Sequence, residues 1–125
     1  DQYSNVKKIT KSIEIVYGLR NFIGNANKFS SKNIFINLKS DNEVTEITIE
    51  DDGNGFPRDI LSKIGEPYLK SNNPVEKSKT GLGLGLFIGK TLLEKNFAFI
   101  NCRNSKTRGG AEIIIKWKNS DLLNI

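Results

Sequence analysis

The chain has 125 residues, no histidine, no methionine and one cysteine, and 19 Lys and Arg against 14 Asp and Glu leave a net charge of +5. That length fits one domain with a core that needs no staples, and a single cysteine excludes an internal disulfide framework and a Cys-rich zinc site. Without histidine, Ser-His-Asp and Cys-His catalysis and His-ligated metals are excluded, so any metal must take oxygen ligands, which points to Mg²⁺ or Ca²⁺.

Residues 1–11 are polar and irregular and read as a lead-in or linker. From Ser12 the apolar positions Ile13, Ile15, Val16, Leu19, Phe22, Ile23 and Ala26 recur at three- and four-residue steps, which predicts an amphipathic helix ending near Phe29. Gly18 and Gly24 weaken it and are expected to allow close packing or ligand approach. Ile34 to Leu38 and Val44 to Glu50 read as strands joined through Ser40-Asp41-Asn42-Glu43, so a hairpin is predicted. Asp51-Asp52-Gly53-Asn54-Gly55 breaks the second strand, and Pro57 opens a short helix through about Ile64. Gly65 to Thr80 has little apolar periodicity and reads as a long surface loop of the kind that usually carries function. Leu84 to Glu94 is helical again; Ala98 to Cys102 and Glu112 to Trp117 read as strands around the turn Arg108-Gly109-Gly110. The order helix, hairpin, helix, loop, helix, hairpin predicts an α+β two-layer sandwich with helices on one sheet face, not a doubly wound fold.

No apolar run approaches the roughly 18 residues of a membrane span, and no signal peptide is evident, so a reducing cytoplasm is the default expectation. The lysines are spread along the chain, so the charge does not point to nucleic acid. The chain starts at Asp1 rather than Met, as a fragment or processed form would. Cys102 reads as a buried structural thiol, and Tyr3, Tyr17 and Trp117 as packing residues.

Three segments can carry chemistry. Asn21, Asn25 and Lys28 lie on nearly one helical face, and two amide oxygens beside a cation suit a Mg²⁺–polyphosphate complex; alone, the segment reads more simply as a solvated face of an Asn-rich helix. In Asp51-Asp52-Gly53-Asn54-Gly55 a carboxylate at a strand end can accept from an exocyclic amine, with glycines that let a flat base approach; the plainer alternative is a tight turn. A Ca²⁺ loop fails, because the twelfth residue counted from Asp51 is Ser62 rather than Glu. Gly81-Leu82-Gly83-Leu84-Gly85-Leu86 leads into a helix and offers backbone N–H groups to an anion. It is neither a dinucleotide fingerprint nor, with Gly89-Lys90-Thr91, a Walker A loop, because the required glycines are replaced by Leu86, Ile88 and Leu84.

Taken in order, these segments resemble the catalytic ATP-binding domain of bacterial sensor histidine kinases, in the superfamily that includes gyrase, Hsp90 and MutL. Asn21 to Ser30 resembles the N box, Asp51 to Gly55 the G1 box, Gly81 to Leu86 the G2 box and Arg108 to Ala111 a late glycine turn. The resemblance covers about residues 12–118, leaving 119–125 as a tail, and Ile64-Gly65-Glu66-Pro67-Tyr68, Gly83 to Glu94 and the Trp117 ending most resemble the RegB/PrrB redox-responding type. It implies a Bergerat-type ATP-binding fold with a mixed, mostly antiparallel sheet. It implies ATP and Mg²⁺ as cofactors, with Asn25 the principal metal ligand, Asn21 positioning metal or water, and Lys28 on phosphate. It implies that Asp51 takes the adenine amine, with Gly55 beside the base, Phe29 against the nucleotide, and Gly81, Gly83 and Gly85 around the phosphates; Gly53, Leu82, Leu84 and Leu86 of the same boxes count among the nucleotide-binding positions. Residues 65–80 would form an ATP lid bearing Tyr68 and Lys70. Gly65 departs from the usual Phe at the start of the F box, and Leu82 from the usual small hydroxyl residue.

The resemblance further implies a protein-histidine kinase whose acceptor histidine lies elsewhere, since this chain has none. Hydrolysing members of the superfamily carry a Glu base where this chain has Asn21, and an amide cannot take a proton, so slow hydrolysis and transfer to a protein are expected. The implied partners are a dimerisation and histidine-phosphotransfer domain and a response regulator, with the fragment monomeric and the full-length protein a homodimer. The implied location is the cytoplasmic side of an inner-membrane kinase. An anti-sigma-factor-type serine kinase and a nucleotide-binding switch without transfer remain alternatives on the same fold.

Overall fold

The computed structural model describes residues 12–58, 61, 82–123 and 125. Helix α1 spans Ile13–Phe29, as the periodicity predicts; Ser12 caps it by accepting the Ile15 N–H, Glu14 lies in the first turn and Lys28 in the last. Its buried positions Ile15, Gly18, Phe22 and Ala26 form one stripe. Strands β1 (Ile34–Ser40) and β2 (Val44–Asp51) make the expected hairpin, whose turn is fixed by Asp41 Oδ1 accepting the N–H groups of Glu43 and Val44 at 2.8 and 2.8 Å. After the break at Asp51, Arg58 and Leu61 are helical, and the Leu61 N–H reaches the Pro57 carbonyl at 3.0 Å. Helix α2 spans Leu82–Lys95, followed by β3 (Phe99–Asn104), β4 (Ala111–Lys118) and the short helix α3 (Asn119–Leu122).

The sheet order is β1-β2-β4-β3, and each of these pairings is antiparallel. The register sets Thr45 opposite Trp117, Ile47 opposite Ile115 and Ile49 opposite Ile113. These odd-numbered positions face the helices, where α1 lies over β2 and α2 over β3, and join Phe22, Leu86 and Leu93 in one core. At the edge, Ile36 and Leu38 of β1 share the same face by register yet remain 54% and 58% exposed.

The two helices meet along an antiparallel seam built on glycine. A Cβ on Gly18 would touch Leu93 at 3.0 Å, one on Gly89 would meet the Phe22 ring at 2.7 Å, and one on Gly85 would meet the Asn25 amide at 2.7 Å. Gly18 therefore serves close packing, as expected. Gly24 does not, because nothing lies within 4 Å of a Cβ there. Lys95 and Glu14 close the far end of the seam with a 2.7 Å ion pair. Trp117 is fully buried and donates its Nε1–H to the Asn96 carbonyl at 3.0 Å, whereas Tyr17 is 53% exposed and is not a packing residue. Tyr3 lies outside the described residues. The C-terminal segment is tied in: Leu122 is buried, and Asn119 bonds to Thr45, Asp41 and Glu43. Among the described residues no helix is long and apolar enough to cross a membrane.

Candidate functional site

A cavity of about 200 Å³ opens between the end of α1, the break after β2 and the start of β4. Its lining is mostly apolar, with Ala26, Phe29, Ile49, Phe56 and Ile113 contributing, while Asn25, Asp51 and Asn54 supply polar groups. This is the composition of a site that holds a largely apolar group and orients it with a few polar contacts.

Asp51 is 4% exposed. Its burial is made tolerable by backbone donors: Oδ1 accepts the N–H of Gly53 at 2.9 Å and of Ala111 at 3.2 Å. Among the described residues, the hydrogen bonds to this carboxylate all fall on Oδ1. The backbone around it leaves no room for side chains. A Cβ on Gly110 would stand 2.1 Å from the Asp51 carbonyl oxygen and 2.3 Å from Oδ1, and one on Gly53 would stand 2.0 Å from the Phe29 carbonyl oxygen. Gly55, at φ +79°, adopts the left-handed conformation that favours glycine and lies against Asn104.

Asn25 reaches the same cavity from α1. Its Nδ2 is buried and has no hydrogen-bond partner, the only such side-chain atom among the described residues. A buried amide N–H without an acceptor costs roughly 1–3 kcal/mol, a cost that an acceptor on a polar ligand would relieve. Amide oxygens and phosphate oxygens are also the donor set a hard Mg²⁺ ion prefers, so Asn25 fits that ion.

The structure thus brings Asn25, Phe29, Asp51 and Gly55 to one cavity. It separates others. Asn21 lies four residues before Asn25, and its Nδ2 donates to the Tyr17 carbonyl of its own helix at 2.8 Å. Lys28 is exposed, with Nζ 5.4 Å from the centre of the Phe29 ring. Gly53 packs under the end of α1. The glycine run differs from the expected loop: α2 already begins at Leu82, so Gly83 and Gly85 are helical, and Leu86 is a core residue, 1% exposed, rather than a cavity residue. The side chains of Leu82 and Leu84 lie outside the described residues, as do Tyr68, Lys70, Gly81 and the expected lid at 65–80.

Two residues escaped the sequence reading. Asp52 accepts the N–H groups of Ser31, Lys32 and Asn33 at 2.9–3.1 Å and so ties the end of α1 to the break after β2. Backbone N–H groups, that of Lys32 first and that of Asn33 next, hold its carboxyl down at about 2. Asn104 clamps Phe56 through its amide, accepting the Phe56 N–H at 2.6 Å and donating to the Phe56 carbonyl at 3.1 Å. The signal for Asp52 was present in the doubled Asp before the glycines, whereas nothing near Asn104 in sequence announces a contact 48 residues away.

Comparison with known proteins gives the class. The profile of the family described as "Histidine kinase-, DNA gyrase B-, and HSP90-like ATPase" matches residues 10–121. The sensor histidine kinase RegB of Cereibacter sphaeroides is 36% identical over 102 residues, covering 78% of this chain and 22% of RegB. The sensor protein KdpD of Clostridium acetobutylicum is 34% identical over 93 residues, covering 73% of this chain and 10% of KdpD. The chain therefore spans about a fifth or less of the length of these relatives. Among solved structures, full-length ShkA in complex with AMPPNP shares the fold at a TM-score of 0.68 and 22% identity, over 92% of this chain and 24% of that one. The mycobacterial sensor histidine kinase MprB does so at 0.65 and 21%, over 88% and 76%. The chain belongs to the histidine kinase-, gyrase B- and HSP90-like ATPase family, and its α+β sandwich is the Bergerat-type fold of histidine kinase catalytic domains.

Proposed function

We propose that this chain binds Mg–ATP and acts as the catalytic domain of a two-component sensor histidine kinase, passing the γ-phosphoryl group to a histidine on a separate dimerisation and phosphoacceptor domain. The observation that carries this reading is the joint placement of a buried carboxylate, Asp51, and an unpartnered buried amide, Asn25, on one apolar cavity. Asp51 accepts a hydrogen bond from the exocyclic amine of adenine, with the base lying over Gly55 and against Phe29 and Phe56. Asn25 faces the phosphates and would hold Mg²⁺ through its amide oxygen, with Asn21 nearby on the same helix. Bound Mg²⁺ would offset phosphate charge. Lys28, Lys70 and Gly81 to Gly85 are assigned to the phosphate side, and Tyr68 and residues 65–80 to a lid; Leu86, a core residue, is not among them.

The acceptor imidazole attacks the γ-phosphorus, the bond to the bridging β–γ oxygen breaks, and ADP leaves. Positioning and charge do most of the work in such a loose transition state. No proton acceptor for water stands at position 21, because Asn21 is a neutral amide already bonded to Tyr17, which supports transfer over hydrolysis. The phosphoryl group then passes to a response regulator. The parent protein is assigned as a homodimer whose catalytic domains lie on the cytoplasmic side of a bacterial inner membrane, as the relatedness to RegB suggests.

Radiolabelled ATP, this chain and a histidine-bearing phosphoacceptor domain supplied in trans test the proposal. Label that transfers, survives alkali and is lost in acid supports it. Acid-stable label would favour a serine kinase, and nucleotide binding without transfer a switch.

A further inference from the structure

Glu50 and Asp51 are neighbours in sequence, so strand alternation sends their side chains to opposite faces of the sheet. Each nevertheless reaches the same β3–β4 turn. On the cavity face, Asp51 Oδ1 accepts the Ala111 N–H at the end of that turn. On the outer face, Glu50 Oε2 accepts the Ser105 hydroxyl at 2.7 Å, at the start of it.

Ser105 is buried and organises the turn with every polar atom it has. Its N–H donates to the Gly110 carbonyl at 2.7 Å, and its carbonyl accepts the Gly109 N–H at 3.1 Å. Its Oγ donates to Glu50 and accepts the Arg108 N–H at 3.1 Å. The Arg108 guanidinium closes the arrangement, lying 3.6 Å from Glu50 Oε2 and 3.5 Å from the centre of the Phe35 ring. The result seats Gly110 so tightly on Asp51 that even a methyl group would collide with it.

We propose, on the basis of the nucleotide reading above, that Ser105 is a positioning residue for base selection. Held by Glu50 and Arg108 from the face opposite the cavity, it fixes the turn so that Ala111 joins Gly53 on Oδ1 of Asp51, and this second donor sets the carboxylate plane with Oδ2 aimed at the purine amine. Selectivity for a 6-amino over a 6-oxo purine then depends on residues that never touch the nucleotide. A carboxylate free to rotate would still bind a nucleotide, but it would discriminate less, because discrimination comes from one well-aimed acceptor.

The test compares the affinities of ATP and inosine triphosphate, in which a carbonyl replaces the exocyclic amine, for the wild-type chain, Ser105→Ala and Arg108→Ala. Thermal melts run alongside, and Arg108→Ala, a change at a part-exposed side chain, covers the case in which Ser105→Ala does not fold. The ATP preference is expected to fall about fivefold or more in Ser105→Ala, the scale of one mis-set hydrogen bond, and in the same direction by a smaller factor in Arg108→Ala, which keeps the backbone N–H on Ser105 Oγ and removes only the guanidinium beside Glu50. A variant that loses affinity for both nucleotides in parallel, with the wild-type ratio kept, overturns the proposal and leaves Ser105 a stability residue. A wild-type chain with no preference for ATP overturns the nucleotide reading itself, and this proposal with it.

Discussion

Asn25 on α1 and Gly85 on α2 share one space: the Asn25 amide stands where a side chain at position 85 would begin, with Nδ2 2.7 Å and Oδ1 3.0 Å from the Cβ that glycine lacks. The glycine is helical, so its value is not a loop conformation but the absence of a methyl group. Gly85→Ala separates stability from function. Alanine gains roughly 1 kcal/mol of helix propensity over glycine, while its methyl group displaces the amide. Mg–ATP affinity is expected to fall about tenfold or more with the melting temperature held or raised. Unchanged affinity in titration calorimetry would contradict the placement.

Asn25→Ala removes the orphaned amide itself. Nucleotide affinity without Mg²⁺ should be little altered, and the gain in affinity on adding Mg²⁺ should be lost. The same fluorescence titration with and without the ion reads both. A full Mg²⁺ effect in the variant would move the metal to other residues.

Much of this was legible in the sequence. The stripe from Ile15 to Ala26 gave α1, the alternation in Val44 to Glu50 gave β2, and the acid-glycine run after it gave the carboxylate of the cavity. What was hidden is non-local or depends on helix phase. The start of α2 at Leu82 was obscured because alternating glycines look like a loop, and only packing against Asn25 and Phe22 shows what the helical glycines at 85 and 89 are for. Asn104 and Ser105 act on Phe56 and Glu50, across 48 and 55 residues, and no local spacing encodes such contacts.

Asp52 gives a pH signature. Its folded carboxyl titrates near 2 against an ordinary value of 3.8, so its contribution to stability is present above the ordinary value and is lost as pH falls through about 2. Thermal melts of the wild type should therefore lose more stability than those of Asp52→Asn as pH is lowered across that window, with the variant already weaker at neutral pH. Parallel profiles would contradict the role of Asp52 in tying α1 to the break after β2.

Cys102 packs against the core, and burial pushes its thiol up to about 11. The folded protein should therefore react slowly with iodoacetamide at neutral pH and rapidly once unfolded in denaturant, as a protonated, sheltered thiol does. Rapid modification of the native protein, followed by mass spectrometry, would contradict the structural assignment.

The most direct measurement is the affinity of Asp51→Ala for ATP by titration calorimetry, beside the wild type and with folding checked by circular dichroism. Loss of a hydrogen bond to a buried carboxylate predicts a fall of at least about tenfold in affinity. An Asp51→Ala chain that folds and binds ATP as tightly as the wild type would contradict the assignment of this cavity to adenine.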